Sequence, residues 1–448
     1  MLKFGGTSVG SAKALENLAN IIMRDKTPKA LVVSAMSGVT NSLLAWTNRP
    51  EGNEALLESL RRRHLDALRP LMREEELKSL DTRLRVRLEA LRQAMDRYGE
   101  PESRPAIRDA IASWGERLSS LSVASLLSSK GLDAVALTSE EAGIAAVGRF
   151  GNGAADLEAT SANFKANVEP LIAEGKIPVI TGYYGIAHNG MPITFGRGGS
   201  DYSSAVVAYA LDADSLEIWT DVDGFMTADP RIVPGARTIE EMDYSEAAEL
   251  AYFGAKVLHP RTIEPARRKG TEVLVKNTFN PEHQGTKIHV LPSRSGKMLK
   301  SVAVKSDLSI IKLYSAEIAY SPGLVTELLD SINREGTTAY AISTSLSTLA
   351  LAVPNSDVEG VCERIERLKN GEVEKVVVRP NVALVCAVGD DMINIKGVAA
   401  RVFQAAEEAD ANIEMISEGA SDVALNFVVP GDRAVDVVRK LHEKFIGG

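Results

Sequence analysis

The stretch KFGGTSVG (residues 3–10) decides how the fold begins. It lies between a short apolar segment and a helical segment in which Leu15, Leu18 and Ile22 recur at the spacing of one buried face. Two adjacent glycines let the backbone turn freely and let a ligand approach closely. The stretch predicts a strand, a tight turn and a helix, with a lysine and backbone N–H groups aimed at an anion. An ordinary strand-to-helix turn remains the alternative for so short a match.

Short apolar, β-branched runs alternate with helical segments as far as about residue 280. This alternation predicts an α/β architecture with a largely parallel sheet. The segment 54–98 differs, because it is rich in Arg, Glu and Leu, and it predicts a helical excursion with a solvated charged face. The runs that predict strands are 30–33, 134–137, 177–181, 215–219 and 272–275.

A second architecture follows the turn-rich segment 281–300, which predicts a domain boundary. The order strand, helix, strand, strand, helix then occurs twice, in 310–368 and in 382–445. This order is compatible with two small α+β sandwiches. We therefore predict a catalytic domain over 1–285 and two further units over 300–372 and 376–448.

Composition and charge restrict the class of partner. The chain has 448 residues, 45% of them hydrophobic and 25% charged, which is typical of packed globular domains. A formal net charge of -9 disfavours nucleic acid or an anionic membrane as the main partner and leaves small molecules. The two cysteines, Cys362 and Cys386, suggest neither a disulfide framework nor a zinc site. With no apolar run of about 18 residues and no secretory signal pattern, we predict a cytoplasmic protein.

A second glycine-rich stretch, GRGGSD (196–201), precedes another helical segment. Arg197 offers a planar fork suited to a carboxylate or phosphate, while Ser200 and Asp201 can cap the helix. Three glycines around one arginine favour anion recognition over the alternative of a flexible loop with an N-cap.

Two more polar stretches follow predicted strands. TDVDG (220–224) comes after the strand that ends at Trp219, and SAMSGVTN (34–41) supplies hydroxyl and amide groups before a helix. Ligands of open α/β sheets bind beyond the carboxyl ends of the strands, so these side chains are well placed for a nucleotide or its metal. An Asp-rich turn and a simple loop with a cap are the respective alternatives.

Several motifs of phosphate chemistry are missing from the sequence. A Walker A run and the protein-kinase motifs H-R-D and D-F-G do not occur, so another phosphoryl-transfer scaffold must be considered. The six histidines form no metal-binding spacing, and we assign no metal ligand. By periodicity alone, Glu116 lies outside the apolar face of its helical run and is expected to be exposed, and Lys256 is expected to be a surface lysine.

The combination of motifs resembles the aspartate kinases of the amino-acid kinase family. The motifs are KFGGTSVG, VVSAMSGVTN, GERLS, GRGGSDYSS, WTDVDGFMTADPR and AAELAYFGAKVLHPR, in this order. Further along, PGLVTELLDSINREG and GVAARVFQAAEEADANIEMISEGAS resemble the ligand regions of paired ACT domains. The resemblance covers the whole chain. It implies a three-layer α/β sandwich around a mainly parallel sheet, followed by two α+β ACT-like domains.

The resemblance also implies roles for individual residues. Lys3 would contact the ATP phosphates and stabilise the transferring group, and Asp201 would organise that lysine. Arg197 would hold the α-carboxylate of the substrate and Glu116 its α-amino group. The implied substrate-binding set is Thr40, Glu116, Arg197, Gly198, Gly199 and Ser200. The implied nucleotide-binding set is Lys3, Gly5, Gly6, Thr7, Ser8, Thr220, Asp221, Met226, Arg231, Lys256 and Val257. The implied effector positions are Ser343, Thr344, Ile416 and Ser417.

The implied reaction is transfer of the γ-phosphoryl group of ATP to the β-carboxylate of L-aspartate. The products are 4-phospho-L-aspartate and ADP, at the start of lysine, threonine and methionine synthesis. Mg²⁺ would ride on the ATP phosphates, an amino-acid effector would bind the ACT-like units, and a homodimer or homotetramer is expected.

Two alternatives remain open at this point. Glutamate 5-kinase or N-acetylglutamate kinase activity is disfavoured by the ACT-like tail and by KFGGTS. An amino-acid sensor with an inactive kinase domain is disfavoured by the presence of Lys3, Glu116, Arg197 and Asp201.

Overall fold

The structure is a computed structural model. It describes residues 1–99, 103–254, 257–290, 298–316, 318, 320, 322–334, 337–367, 373–389, 392–417 and 421–447. The chain divides into two compact units. The N-terminal unit comprises Met1–Phe225, Glu240–Tyr244 and Val257–Leu291, and the C-terminal unit comprises Met226–Ile239, Ser245–Lys256 and Pro292–Gly448. The segments 226–239 and 245–256 therefore group with the C-terminal part of the chain.

The N-terminal unit is built on a mainly parallel sheet of eight strands. Their order is β10-β12-β11-β9-β1-β2-β6-β3, and only the β11–β12 pair is antiparallel. Two antiparallel hairpins, β4–β5 and β7–β8, accompany it. The strands are β1 (Leu2–Phe4), β2 (Leu31–Val33), β3 (Ala134–Leu137), β4 (Ala146–Arg149), β5 (Asn152–Ala155), β6 (Ile177–Thr181), β7 (Tyr184–Ile186), β8 (Pro192–Thr194), β9 (Ser215–Thr220), β10 (Glu241–Asp243), β11 (Glu272–Asn277) and β12 (Thr286–His289).

Helices cover both faces of this sheet. The layers are visible in β2, where Leu31 and Val33 belong to one hydrophobic core and Val32 belongs to another on the opposite face. The three-layer α/β sandwich predicted from the sequence is confirmed. The helices are α1 (Ala12–Arg24), α2 (Val39–Asn48), α3 (Asn53–Leu68), α4 (Glu74–Asp96), α5 (Arg104–Ala112), α6 (Trp114–Ser129), α7 (Ser139–Ala142), α8 (Leu157–Asn167), α9 (Glu169–Ala173), α10 (Gly199–Ala210), α11 (Tyr244–Phe253), which continues into the C-terminal unit, and α12 (Ile263–Lys269), preceded by a 3₁₀ turn (Pro260–Thr262).

The first helix forms where its sequence pattern predicts it. Ser11 caps α1 by accepting a hydrogen bond from the Ala14 N–H group at 3.3 Å, and Leu15, Leu18 and Ile22 are fully or almost fully buried. The predicted helical excursion forms as the helices α3 and α4, whose leucines join the same core as α1 and α6. The charged residues between those leucines remain largely at the surface.

The C-terminal unit contains one six-stranded antiparallel sheet with the order β14-β15-β13-β16-β18-β17. Its strands are β13 (Ser301–Tyr314), β14 (Ala341–Thr344), β15 (Thr348–Pro354), β16 (Lys375–Val388), β17 (Met415–Ser417) and β18 (Ala424–Pro430). Its helices are α13 (Pro322–Arg334), α14 (Val358–Arg367), α15 (Val398–Glu408) and α16 (Ala434–Phe445), with 3₁₀ turns at Asn355–Asp357 and Met392–Asn394.

The two ACT-like regions share their central strands. β13 and β16 have 14 residues each and pair along their length, so residues 301–305 lie against 384–388 while 310–314 lie against 375–379. The register shifts near Leu308, and Asp307 and Asn381 adopt positive φ angles of 62° and 57°. Separate hydrophobic cores lie on the two sides of this irregularity. The repeat seen in the sequence is therefore two cores on one interleaved sheet.

Among the described helices, none combines the length and the apolar character that crossing a bilayer requires.

Candidate active site

A cavity of 530 Å³ collects residues that follow several strands of the parallel sheet. This is where the topology of an open α/β sheet places a ligand site. All eight residues predicted to be catalytic or substrate-binding line it. The complete lining is Lys3, Ser34, Ala35, Thr40, Asn41, Leu44, Arg108, Asp109, Glu116, Gly151, Tyr183, Thr194, Gly196, Arg197, Gly198, Gly199, Ser200 and Asp201.

Lys3 lies in β1, which is the third of the six consecutive parallel strands β11-β9-β1-β2-β6-β3. The residue is buried, with 6% of its surface exposed. Its ammonium group forms an ion pair with the carboxylate of Asp201 in the first turn of α10. Burying a cation beside a single carboxylate is costly unless the pair is well oriented. The pair therefore fixes the lysine at the wall of the cavity.

Close packing requires a glycine at position 6. A Cβ atom on Gly6 would lie 2.8 Å from the Ala35 carbonyl oxygen, so only glycine lets the first loop approach the loop after β2. The two loops are also joined by a hydrogen bond from the Ser37 N–H group to the Gly6 carbonyl oxygen at 3.2 Å. This contact brings Thr40, at the start of α2, to the same cavity as Lys3.

Glu116 is buried at the start of α6, contrary to the exposure that helical periodicity predicts. Its residue is 2% exposed, and the Ser200 hydroxyl donates to its Oε1 at 3.3 Å. Burial raises the pKa of Glu116 to about 8, although hydrogen bonds and the charge of Lys3 act in the opposite direction. Glu116 can therefore change its ionisation near neutral pH, and it gains a charge partner when a cation enters the cavity.

The glycine-rich stretch forms the loop and N-terminus of α10. Gly198 is the N-cap residue with a φ of 70°, and a Cβ atom there would lie 2.2 Å from the Cβ of His259. Only glycine both adopts this positive φ without strain and leaves room for His259. Arg197 just before it is exposed at the cavity, where its guanidinium can meet an anion, and burial lowers the pKa of the neighbouring His259.

Several residues of the cavity wall were not predicted from the sequence. Arg108 and Asp109 lie in α5, and Asp109 is 2% exposed with a pKa raised by burial. Tyr183 follows β6 with a φ of 77°, and burial raises its pKa to about 12. Its place beyond the end of a predicted strand was the one available signal. Nothing in the local pattern of α5 distinguishes Asp109 from a surface carboxylate.

Apart from Lys3, the residues predicted to bind the nucleotide do not line this cavity, but several lie at the same edge of the sheet. Gly5 donates its N–H group to the Trp219 carbonyl oxygen at 3.0 Å, which places the first loop beside Thr220 and Asp221. Thr7 and Asp221 are exposed there. These positions remain predictions.

Other residues of that set have different surroundings. Ser8 is fully buried and is hydrogen-bonded to the Trp219 carbonyl oxygen at 3.1 Å and to the Thr278 hydroxyl at 2.7 Å, so it fastens the loop. Val257 is half-buried in the N-terminal unit. Met226 and Arg231 belong to the C-terminal unit, where Arg231 forms a surface ion pair with Asp229. Lys256 lies outside the described residues.

The predicted effector positions lie on two strands that each have one neighbour in the sheet. Ser343 and Thr344 end β14, which pairs with β15. Ile416 and Ser417 lie in β17, which pairs with β18. The two pairs of residues therefore occupy corresponding places in the repeated unit.

Comparison with known proteins identifies the class. The amino acid kinase family matches residues 1–277, and an ACT domain family matches residues 385–445. Lysine-sensitive aspartokinase 3 of Escherichia coli is 32% identical over 450 residues, which cover 98% of this chain and 97% of the relative. Aspartokinase 2, chloroplastic, of Arabidopsis thaliana is 32% identical over 461 residues, which cover 99% of this chain and 84% of the relative.

Solved structures agree with this result. Aspartokinase III of E. coli in complex with aspartate and ADP in the R-state has a TM-score of 0.85 and 32% identity, with 99% of this chain and 98% of the other covered. The same enzyme with lysine and aspartate in the T-state has a TM-score of 0.82 and 30% identity, with 99% of both chains covered.

The chain belongs to the amino acid kinase family. Within that family, it is similar to aspartokinases over its whole length, which confirms the resemblance seen in the motifs.

Proposed function

We propose that this chain is an aspartate kinase, which transfers the γ-phosphoryl group of ATP to the β-carboxylate of L-aspartate. The products are 4-phospho-L-aspartate and ADP, and the reaction is the first step towards lysine, threonine and methionine. One observation carries the proposal: Lys3, Glu116, Arg197 and Asp201 line a single cavity. Similarity to aspartokinase III, whose solved complex contains aspartate and ADP, supports the choice of substrate.

The charges in the cavity suit an amino acid with two carboxylates. Arg197 is exposed to the cavity and offers a planar fork for the α-carboxylate. Glu116 is buried with its Oε2 unpartnered within the described residues, so a substrate ammonium group would give it a charge partner. Thr40 and Ser200 add hydroxyl groups on the same wall. We assign these four residues to substrate binding, with the amides of Gly198 and Gly199 beside them.

The main barrier to this reaction is the repulsion between two anions, the substrate carboxylate and the phosphoryl group, and not a proton transfer. A β-carboxylate is already ionised at neutral pH, so no strong general base is required. The chemical task is to align an anionic nucleophile with an anionic phosphoryl group and to stabilise the charge that develops. The buried ammonium group of Lys3 can do this in a site of low dielectric. Asp201 holds that ammonium group in place through their ion pair.

Magnesium would enter with the nucleotide. Within the ranges that the structure describes, no group of three or more His, Cys, Asp and Glu side chains is gathered to hold a metal ion. Mg²⁺ in kinase sites is commonly bound by substrate phosphates and one or two carboxylates. The exposed carboxylate of Asp221, directly after β9, could serve as one such ligand. When bound, the ion would neutralise phosphate charge.

We also propose a nucleotide site, an effector site and an assembly for this chain. ATP would bind at the first loop and at the segment after β9, with Met226, Arg231, Lys256 and Val257 completing its site. An amino acid would bind near Ser343, Thr344, Ile416 and Ser417 and act as an effector, which the lysine complex of aspartokinase III supports by analogy. The edge strands β14 and β17 expose Ile342 and Ile416, consistent with a homodimer or homotetramer. We also propose a cytoplasmic location.

The experiment that tests the activity traps the product. Purified protein is incubated with ATP, Mg²⁺ and L-aspartate, and ADP release is measured together with hydroxamate formed from the acyl phosphate by hydroxylamine. Both signals should depend on L-aspartate. Stimulation by L-glutamate or N-acetyl-L-glutamate instead would favour the other acyl-phosphate kinases. If no amino acid stimulates ADP release, the sensor alternative gains and the proposal fails.

A further inference from the structure

One wall of the cavity is held by a carboxylate that the sequence gives no reason to notice. Asp109 of α5 is 2% exposed, and its Oδ2 accepts hydrogen bonds from the N–H groups of Gly151 and Thr194, each at 2.7 Å. Gly151 is the tip of the β4–β5 hairpin, and Thr194 ends β8 just before the loop 195–198. A single oxygen therefore joins the hairpin to the strand that leads to Arg197.

An arginine joins the same two segments from another direction. Arg261, in the 3₁₀ turn before α12, donates from Nη1 to the Phe195 carbonyl oxygen at 2.9 Å and to Asn152 Oδ1 at 3.0 Å. Its Nη2 donates to the Gly153 carbonyl oxygen at 2.6 Å. The guanidinium also lies 4.9 Å from the ring centre of Tyr202 in α10.

Tyr202 makes the third connection. Its hydroxyl accepts a hydrogen bond from the Ala155 N–H group at 3.1 Å, and its ring lies edge-on against Phe195 with centres 5.1 Å apart. Side chains from α5, the 3₁₀ turn and α10 thus bind the β4–β5 hairpin to both ends of the glycine-rich loop. The loop that carries Arg197 is anchored on each side, although its own glycines give it little stiffness.

We propose that Asp109 and Arg261 are positioning residues that hold the Arg197 loop against the β4–β5 hairpin and thereby set the affinity for the α-carboxylate of the substrate. This inference rests on the proposed function, because it assigns Arg197 to that carboxylate. The physical reason is preorganisation. A loop that is fixed before binding loses less conformational freedom when the ligand arrives, so more of the interaction appears as affinity.

The burial of Asp109 carries an energetic cost. A carboxylate buried without an ion pair is expensive, and a hydrophobic side chain would fill the same volume more cheaply. Asp109 has no ion-pair partner among the described residues, and burial raises its pKa. Unlike a hydrophobic side chain, Asp109 provides an acceptor that two backbone N–H groups from different segments share.

The test separates positioning from simple loss of stability. Asp109→Ala removes the shared acceptor, while Asp109→Asn keeps an oxygen that can accept both N–H groups. Arg261→Lys keeps the charge but loses the fork, and it is the milder variant if Asp109→Ala does not fold. Arg268→Ala is the matched control, because Arg268 lies in α12 and, within the described part of the chain, forms an exposed ion pair with Glu264.

Asp109→Ala and Arg261→Lys are expected to raise KM for L-aspartate by about tenfold or more while KM for ATP stays within about twofold. Asp109→Asn should restore KM for L-aspartate to within about threefold of the wild-type value. An unchanged KM for L-aspartate, an equal rise in both KM values, or no recovery in Asp109→Asn would overturn the inference.

Amide hydrogen exchange provides a readout that does not depend on catalysis. Segment 194–200 should exchange faster in Asp109→Ala and in Arg261→Lys than in the wild type or in Arg268→Ala. If exchange in this segment does not change, the positioning role is refuted. If exchange increases as expected but the wild-type protein shows no aspartate-dependent ADP release, it is the proposed function that fails, and the anchoring of the loop is retained.

Discussion

Lys3 and Asp201 form an ion pair between the first strand of the chain and the first turn of α10, with side chains only 8% and 18% exposed. A carboxylate at this position can keep the lysine side chain extended toward the cavity when no phosphate is bound. When an anionic ligand enters, the same ammonium group can interact with both. The ion pair thus links the residue that precedes the first glycine-rich loop to the last residue of the second glycine-rich stretch.

Replacement of Lys3 by alanine should abolish most of the activity with the fold intact. Removing one positioned charge donor from an active site typically lowers kcat by about 10²–10³-fold. Steady-state ADP release measures the effect, and circular dichroism checks the fold. Lys13→Ala is the control, because the Lys13 side chain is 69% exposed and its ion pair, with Glu16, lies on the surface of α1. Near-normal turnover in Lys3→Ala would refute the catalytic role.

Glu116 predicts a pH dependence of substrate binding. Burial raises its pKa to about 8, and only the ionised form attracts the ammonium group of the substrate. The value of kcat/KM for L-aspartate should therefore rise with pH through about 8 and level off above that value. A pH profile of the Glu116→Gln variant should lack this rise and show a lower plateau. The assignment fails if the wild-type and variant profiles run parallel.

The same residue predicts an opposite trend for stability. A raised pKa in the folded state means that the neutral acid stabilises the fold, and this contribution is lost as the pH rises from the ordinary value of 4.5 to about 8. The denaturation midpoint of the wild type should fall over this range relative to that of Glu116→Gln. Parallel midpoints would show that Glu116 ionises normally.

Arg197→Ala should weaken binding of L-aspartate with little effect on ATP. Loss of a charge-assisted hydrogen bond corresponds to a rise in KM for L-aspartate of about 10- to 100-fold. Arg149→Ala provides the control, since Arg149 is exposed on β4 and does not line the cavity. Isoasparagine, which carries an amide in place of the α-carboxylate, should be discriminated less by Arg197→Ala than by the wild type. Unchanged discrimination would assign the carboxylate to another residue.

Gly198→Ala tests the shape of the arginine loop. Both Gly198 and Gly190 have positive φ angles, 70° and 79°, but a Cβ atom meets His259 at 2.2 Å in the first case and no atom within 4 Å in the second. Gly190→Ala should cost only the backbone strain of about 1–2 kcal/mol. Gly198→Ala should lower the free energy of unfolding by more than Gly190→Ala does, and it should also raise KM for L-aspartate. Equal effects of the two variants on denaturation midpoint and KM would contradict the contact with His259.

The C-terminal unit contains a buried ion pair whose rupture should be costly. Nζ of Lys300 lies 2.8 Å from Oε1 of Glu246, and the two side chains are 6% and 2% exposed, respectively. Lys300→Met removes the ammonium group that pairs with this buried carboxylate and should lower the free energy of unfolding by about 3–5 kcal/mol. The double variant with Glu246→Leu should recover much of this loss, measured by urea denaturation. A double variant no more stable than Lys300→Met would show that the charge itself is not the cause.

Local sequence determined much of the architecture. The apolar runs at 134–137 and 177–181 coincide with β3 and β6, and the segment 54–98 covers α4 and all of α3 but its first residue. The helices were predictable because their buried leucines recur at helical spacing. The short strands of the hairpins β4–β5 and β7–β8 were not predicted. Their residues carry little alternation, since three or four residues are too few to display a period.

By itself, then, the sequence determined the alternating α/β order, the repeated ACT-like unit and the two glycine-rich loops, since these depend on periodicity and on backbone freedom within a few residues. Only the tertiary structure decided that Glu116 is buried, that Asp109 shares one oxygen between two loops, and that β13 and β16 join the repeats into one sheet. Each of these depends on which distant segment arrives as a neighbour, and burial, pKa and hydrogen-bond partners are set by those neighbours and not by the residue's own place along the chain.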